Sequence, residues 1–214
     1  YCGAKVDFID IDPYTWNLST PMLEAKLQKH REQGDPLPKI VIPVHFSGQP
    51  TEQELIWELS QEYGFYVIED SSHSIGAERY GEPVGSCRWS DVTVFSFHPV
   101  KIITTGEGGM SLTNDSELAW KMEVLRSHGI TRDEDRLEEE SLGPWYYEQQ
   151  TLGFNYRMTD IQAALGLSQL LLLDEFVAKR KKLAQLYDQL LADLPLQLPN
   201  VLSENQSSFQ IYVI

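Results

Sequence analysis

Cysteine is nearly absent: Cys2 and Cys87 are the only two in 214 residues, far apart and outside any C-x-x-C pair. That argues against a structural zinc site and a disulfide-rich scaffold and points to a reducing compartment, with a single Cys2–Cys87 bridge left open. Basic residues are also scarce, 17 against 32 acidic, for a formal net charge of −15. A chain this negative is a poor partner for nucleic acid or an anionic membrane surface. No apolar run reaches the length that spans a bilayer, and no secretory leader is visible, so no membrane partner and a cytoplasmic setting are expected. No G-x-G-x-x-G follows a first strand, which weighs against a dinucleotide-binding Rossmann module. An initiating Met is missing too. The chain opens at Tyr1 within what reads as a folded stretch and stops at Gln210-Ile211-Tyr212-Val213-Ile214, which reads as the start of a strand, so it is read as a fragment.

What is present is enough for one large domain with a sizeable core. Apolar residues make up 42% of the chain, and five Trp, ten Tyr and eight Phe argue against disorder. Strand and helix signals alternate through the first two-thirds. Strands are expected at 5–11, 39–44, 65–70, 92–97 and 109–113. Helices are expected at 20–33, with Ser19 and Thr20 as N-caps, at 51–63, where Thr51 and Glu54 have capping-box spacing, and at 115–127. Near-continuous apolar strands separated by helices predict an α/β domain with a mostly parallel sheet. Residues 132–140 are charge-dense and read as a solvated loop or frayed helix. The aromatic run at 144–148 is expected to pack against something. A long helical pattern opens at Thr159 and runs to about Asp193, broken once at most. Four consecutive leucines, Leu170 to Leu173, occupy more than one helix face, so that helix is either deeply buried or meets a partner subunit.

Ligands of parallel sheets bind at the carboxyl ends of the strands. Four residues stand at or just beyond such ends: Asp70, His73, Ser96 and Lys101. A carboxylate and a lysine at one sheet mouth suit pyridoxal phosphate (PLP) chemistry. The lysine amine forms a Schiff base with the cofactor aldehyde, and the carboxylate keeps the pyridine nitrogen protonated. Ser96 is placed to donate to a phosphate. Gly106, Gly108 and Gly109 let the backbone turn tightly beside it. Taken singly, each residue has an ordinary reading as a turn, cap or surface group. The spacing alone reaches an α/β enzyme with a strand-end acid and lysine.

The segments themselves are more specific. Val67-Ile68-Glu69-Asp70-Ser71-Ser72-His73-Ser74-Ile75-Gly76-Ala77 resembles the cofactor-ring motif of the DegT/DnrJ/EryC1/StrS sugar aminotransferases. Phe95-Ser96-Phe97-His98-Pro99-Val100-Lys101, running on to Thr105-Gly106-Glu107-Gly108-Gly109, resembles that family's lysine motif. Gly153-Phe154-Asn155-Tyr156-Arg157-Met158-Thr159-Asp160 and Pro43-Val44-His45-Phe46-Ser47-Gly48-Gln49-Pro50 are similar to two further signatures, and all four follow the family's order.

The resemblance implies a PLP-dependent aminotransferase of fold type I that works as a homodimer with shared active sites. Lys101 would be the Schiff-base lysine and Asp70 the partner of the pyridine nitrogen. His73 would lie beside the ring's phenolic oxygen, Ser96 would contact the phosphate, and Asn155 would reach the partner's phosphate. No metal is implied. Residues 1–194 would form the large PLP-binding domain without its N-terminal part, and 195–214 the beginning of a small C-terminal domain. Pro144-Trp145-Tyr146-Tyr147-Glu148-Gln149 looks most like the pseudaminic acid branch. That branch implies transfer from glutamate to carbon 4 of a UDP-linked 4-keto-6-deoxy-N-acetyl sugar.

Two departures stand out. The family's phosphate-binding turn and ring-stacking aromatic have no counterpart here, and Gln210 stands where His is expected. The rivals are a sugar dehydratase, in which His replaces the lysine, another nucleotide-sugar aminotransferase of the family, and a non-catalytic regulatory relative.

Overall fold

The computed structural model describes residues 2–214. In chain order the elements are α1 (Thr20–Gln33), β1 (Ile40–Val41), α2 (Gln53–Tyr63), β2 (Tyr66–Asp70), β3 (Glu78–Arg79), β4 (Glu82–Pro83), β5 (Val92–Ser96), β6 (Gly109–Leu112), α3 (Ser116–Arg126), β7 (Ile130–Thr131), β8 (Glu148–Gln149), α4 (Asp160–Leu170), α5 (Leu173–Leu191) and β9 (Asn205–Gln206). The main sheet has the order β1-β2-β5-β6; its first three strands are parallel and β6 is antiparallel. The mostly parallel α/β sheet is therefore as expected.

Side-chain alternation decides the two faces of this sheet. Val41, Val67, Glu69, Thr93 and Phe95 point to one face and are buried, while Ile40, Val44 and Tyr66 point to the other and are exposed. Leu23 and Leu27 of α1 and Ile56 and Leu59 of α2 close over Val41 and Val67 to make one core. A second core joins Ala77, Phe95, Phe97, Ile102, Ile103 and Val177. It lies directly beneath the Lys101 loop. Asp70, two residues beyond Ile68, and Ser96, two beyond Val94, fall on the half-open face at its carboxyl edge.

Several expectations are corrected. Residues 5–11 form no strand; only Ile11 bridges to Leu18, and Val6 and Phe8 are exposed. Alternation cannot make a strand without a neighbouring edge to pair with. Residues 211–214 are likewise not a strand. The Thr51–Glu54 capping box does not form: α2 is capped at Glu52, and the Glu54 carboxylate pairs instead with Arg79, only 3% exposed. A charge-assisted pair with a buried guanidinium outweighs a local cap. Arg79 also donates to Asn205 Oδ1 at 2.9 Å, so this pair ties α2, β3 and β9 together.

The long helical pattern breaks at Leu171–Leu172, where α4 and α5 bend by 57°. Leu173 packs on the second core, but Leu170, Leu171 and Leu172 are exposed, Leu171 at 88%, which rules out the deeply buried alternative. The charge-dense stretch contains a turn of 3-10 helix at Glu134–Arg136, and Arg136 is anchored on Glu117 and lies over the Trp120 ring at 4.2 Å. In the aromatic run, Trp145 lies edge-on to the half-buried Tyr146 at 6.2 Å and Arg132 lies over the Tyr147 ring at 5.7 Å, while Trp145 and Tyr147 themselves remain exposed. Among the described residues, no single helix is long and apolar enough to cross a membrane. Cys2 and Cys87 are unpaired.

Candidate active site

Asp70 is held at the end of β2 by its backbone. Its N–H donates to Pro43 O at 2.9 Å, and its carbonyl accepts from His45 N at 3.1 Å. Its Oδ1 accepts from Ser72 N at 3.1 Å, which turns the chain towards His73. The His73 ring faces Phe46 at 6.2 Å, and its Nδ1 is buried without a hydrogen-bond partner. Burial pulls the His73 imidazole below its ordinary value; the Lys101 charge pushes the same way and the Asp70 charge opposes it. His73 thus lies within electrostatic reach of both Asp70 and Lys101. The shift favours the uncharged imidazole at neutral pH.

Lys101 sits on a loop whose two ends are closed by backbone bonds. Phe97 N donates to Gly108 O at 2.8 Å, Thr105 N donates to Phe97 O at 3.0 Å, and Lys101 N donates to His98 O at 2.9 Å. Ile102 and Ile103, both buried, pin the loop to the core immediately after the lysine. Ser96 ends β5 on the face of Asp70. Its Oγ accepts from His98 N at 3.4 Å, so its proton stays available to an anion. The start of α4 packs on the same loop: Thr159 and Gln162 form a capping box there, and Gln162 Nε2 donates to Glu107 O at 2.9 Å.

His73 lies within electrostatic reach of Asp70 and of Lys101, and Ser96 ends the strand that adjoins Asp70's. Asn155 is exposed on a different segment, and its backbone bridges Ser127 rather than the loops around Lys101.

The sequence reading missed a buried cluster one residue behind Asp70. Glu69 is 1% exposed and accepts from Thr93 Oγ1 at 2.6 Å, from Ser90 Oγ at 3.1 Å and from Gln53 Nε2. His45, fully buried, presents Nε2 to Glu69 Oε1 at 3.4 Å, while its Nδ1 accepts from Thr51 N at 3.0 Å. Burial alone would raise the Glu69 carboxyl; His45 and the hydrogen bonds from Thr93 and Gln53 outweigh it and hold it down at about 2. The only signal in the sequence is a carboxylate inside an otherwise apolar strand.

Gly48 follows His45 at φ +102°, and a Cβ there would stand 2.7 Å from Ser208 Oγ and 2.8 Å from Phe209 N. Gly48→Ala is expected to lower stability by about 2 kcal/mol, from left-handed strain plus backbone displacement. Urea unfolding of the two proteins checks it.

The DegT/DnrJ/EryC1/StrS aminotransferase family profile matches residues 1–214. The UDP-4-amino-4,6-dideoxy-N-acetyl-beta-L-altrosamine transaminase of Campylobacter jejuni is 41% identical over 187 residues, 87% of this chain and 46% of that one. The GDP-perosamine synthase of Caulobacter vibrioides is 40% identical over 216 residues, 100% of this chain and 53% of that one. Among solved structures, Helicobacter pylori PseC, an aminotransferase involved in the biosynthesis of pseudaminic acid, matches with a TM-score of 0.83 and 32% identity, over 98% of this chain and 52% of that one. The chain spans about half the length of the curated relatives it matches. The fold is that of the type I PLP-dependent transferases, and the chain belongs to the DegT/DnrJ/EryC1/StrS aminotransferase family.

Proposed function

We propose that this chain carries the cofactor lysine, Lys101, of a PLP-dependent aminotransferase that moves an amino group from glutamate to carbon 4 of a UDP-linked 4-keto-6-deoxy sugar. The observation that carries this reading is that β2 and β5 pair in parallel and end on Asp70 and Ser96, with the Lys101 loop following β5 and His73 within electrostatic reach of both Asp70 and Lys101. These groups fit PLP. Lys101 would hold the aldehyde carbon and Asp70 the pyridine nitrogen. His73, with its buried Nδ1 unpartnered, would lie beside the ring, and Ser96 would donate to the phosphate.

When bound, PLP supplies an electron sink for negative charge developing at the donor's α-carbon. The chain's own residues do the rest. Asp70, fixed by Pro43, His45 and Ser72, would keep a proton on the pyridine nitrogen through its opposite charge. The Lys101 amine would take the proton from the donor's α-carbon and deliver it to the cofactor's aldehyde carbon, a task for a positioned base on a pinned loop. His73, uncharged at neutral pH, orients the ring without adding a positive charge beside Lys101.

Asn155 and the exposed Leu152, Phe154 and Leu170 to Leu172 support a second copy of the chain as partner, with Asn155 reaching the phosphate of the opposite site. The UDP choice rests on the 144–149 segment, where Trp145 and Tyr147 are exposed just before β8. Two unpaired cysteines suit the cytoplasm.

The test is spectroscopic. The intact protein mixed with PLP should show an absorption band that glutamate bleaches and that a UDP-linked 4-keto-6-deoxy sugar restores. A band indifferent to glutamate and other amino donors would remove the aminotransferase reading. Restoration only by GDP-linked keto-sugars would change the substrate.

A further inference from the structure

One short segment touches all three loops that surround the site. Ser208 N donates to Gly48 O at 3.0 Å, in the loop after β1. Ser208 Oγ donates to His73 O at 3.1 Å, in the loop after β2. Gln210 Nε2 donates to Val100 O at 2.7 Å, in the loop after β5, on the peptide that joins Val100 to Lys101. The segment is itself held from behind: Arg180 Nη1 donates to Phe209 O at 3.2 Å and to Gln210 O at 2.9 Å. Ser208 is fully buried and Gln210 is 7% exposed.

The local features are costly ones. Phe209 takes a φ of +48°, which few side chains adopt without a compensating constraint. The close approach to Gly48 leaves no room for a Cβ there. Gln210 Oε1 is buried without a donor, because the Val100 carbonyl fixes which end of the amide turns towards it. A segment tolerated under these strains holds something whose position matters.

We propose that Ser208–Gln210 is a strap that sets where Lys101 stands relative to Asp70 and His73, with Gln210 the positioning residue. The role of Lys101 as the reacting amine rests on the function proposed above; the mechanical coupling does not. Gln210 acts through one N–H donated to the Val100 carbonyl, and an imidazole N–H at that position can make the same bond. The departure from His at this position therefore keeps the donor.

The experiment is amide hydrogen exchange by mass spectrometry on the intact protein, for wild type, Gln210→Ala, Gln210→His and Ser208→Ala, alongside steady-state kinetics. Gln210→Ala should speed exchange in residues 97–106 by about 3- to 10-fold, the loss expected for one buried hydrogen bond, with residues 70–76 unchanged. Ser208→Ala should do the reverse, and Gln210→His should restore residues 97–106. Gln210→Ala should also lower kcat by about 10-fold or more with little change in KM for glutamate, since displaced reacting groups cost turnover rather than binding.

Exchange at 97–106 left as in wild type would overturn the proposal. So would acceleration spread evenly over the chain, failure of Gln210→His to restore the loop, or a loosened loop with unchanged kcat. A selective exchange pattern in a protein without any transaminase turnover would sink the proposed function and leave the strap standing.

Discussion

Lys101→Ala is expected to lower turnover with glutamate and keto-sugar by at least about 10³-fold, because in the proposed function one amine both holds the cofactor and moves the proton. Stability should hardly change. The lysine is half-buried, and the bonds that close its loop run through backbone atoms of Phe97, Lys101, Thr105 and Gly108, which alanine keeps. Ile102 and Ile103 continue to pin the loop from below. Steady-state rates and urea midpoints measured on the same preparations separate the two effects. Full turnover in the variant would end the assignment of Lys101. Unfolding of the variant would mean that the lysine is a structural residue.

The largest stability effect is expected at Glu69. Glu69→Gln replaces an acceptor-only carboxylate with an amide whose N–H₂ meets the donors of Gln53, Ser90, Thr93 and His45. A carboxyl held at about 2 from an ordinary 4.5 contributes about 3 kcal/mol at neutral pH. The sign follows from the direction of the shift. The folded value is depressed, so the contribution is complete above pH 4.5 and is lost as pH falls through the interval down to about 2. Urea unfolding at pH 7 should show the variant destabilised by roughly that amount. The difference between variant and wild type should shrink between pH 4.5 and 2. A constant difference across that range would mean that the cluster's charge is not what stabilises it. The cluster lies on the opposite sheet face to Asp70 but shares its strand, so its collapse would also loosen the carboxyl edge that holds Asp70.

The carboxyl edge that carries Asp70 and Ser96 was legible in the sequence because it depends on local order. Asp70 and Ser96 each end a strand whose apolar pattern is visible, and the parallel arrangement places those ends side by side. Helix α1 was readable for the same reason, with Pro21 in its first turn and Gly34 in the left-handed cap position. What the sequence hid is long-range. Glu69 gains its meaning only when Gln53, Ser90 and Thr93 are folded around it. Glu54 leaves its expected cap because Arg79 waits 25 residues further on. Residues 5–11 alternate like a strand yet have no edge to pair with. Ser208 and Gln210 reach partners 135 and 110 residues away. No periodicity records such contacts.

The central claim is that Lys101 holds the cofactor, and one chemical step tests it without any substrate. The intact protein is loaded with PLP, reduced with borohydride, digested and mapped by mass spectrometry. The account predicts a pyridoxyl phosphate label on Lys101 alone, absent from Lys101→Ala. A label on another lysine, or no label on a protein that otherwise binds PLP, would contradict it.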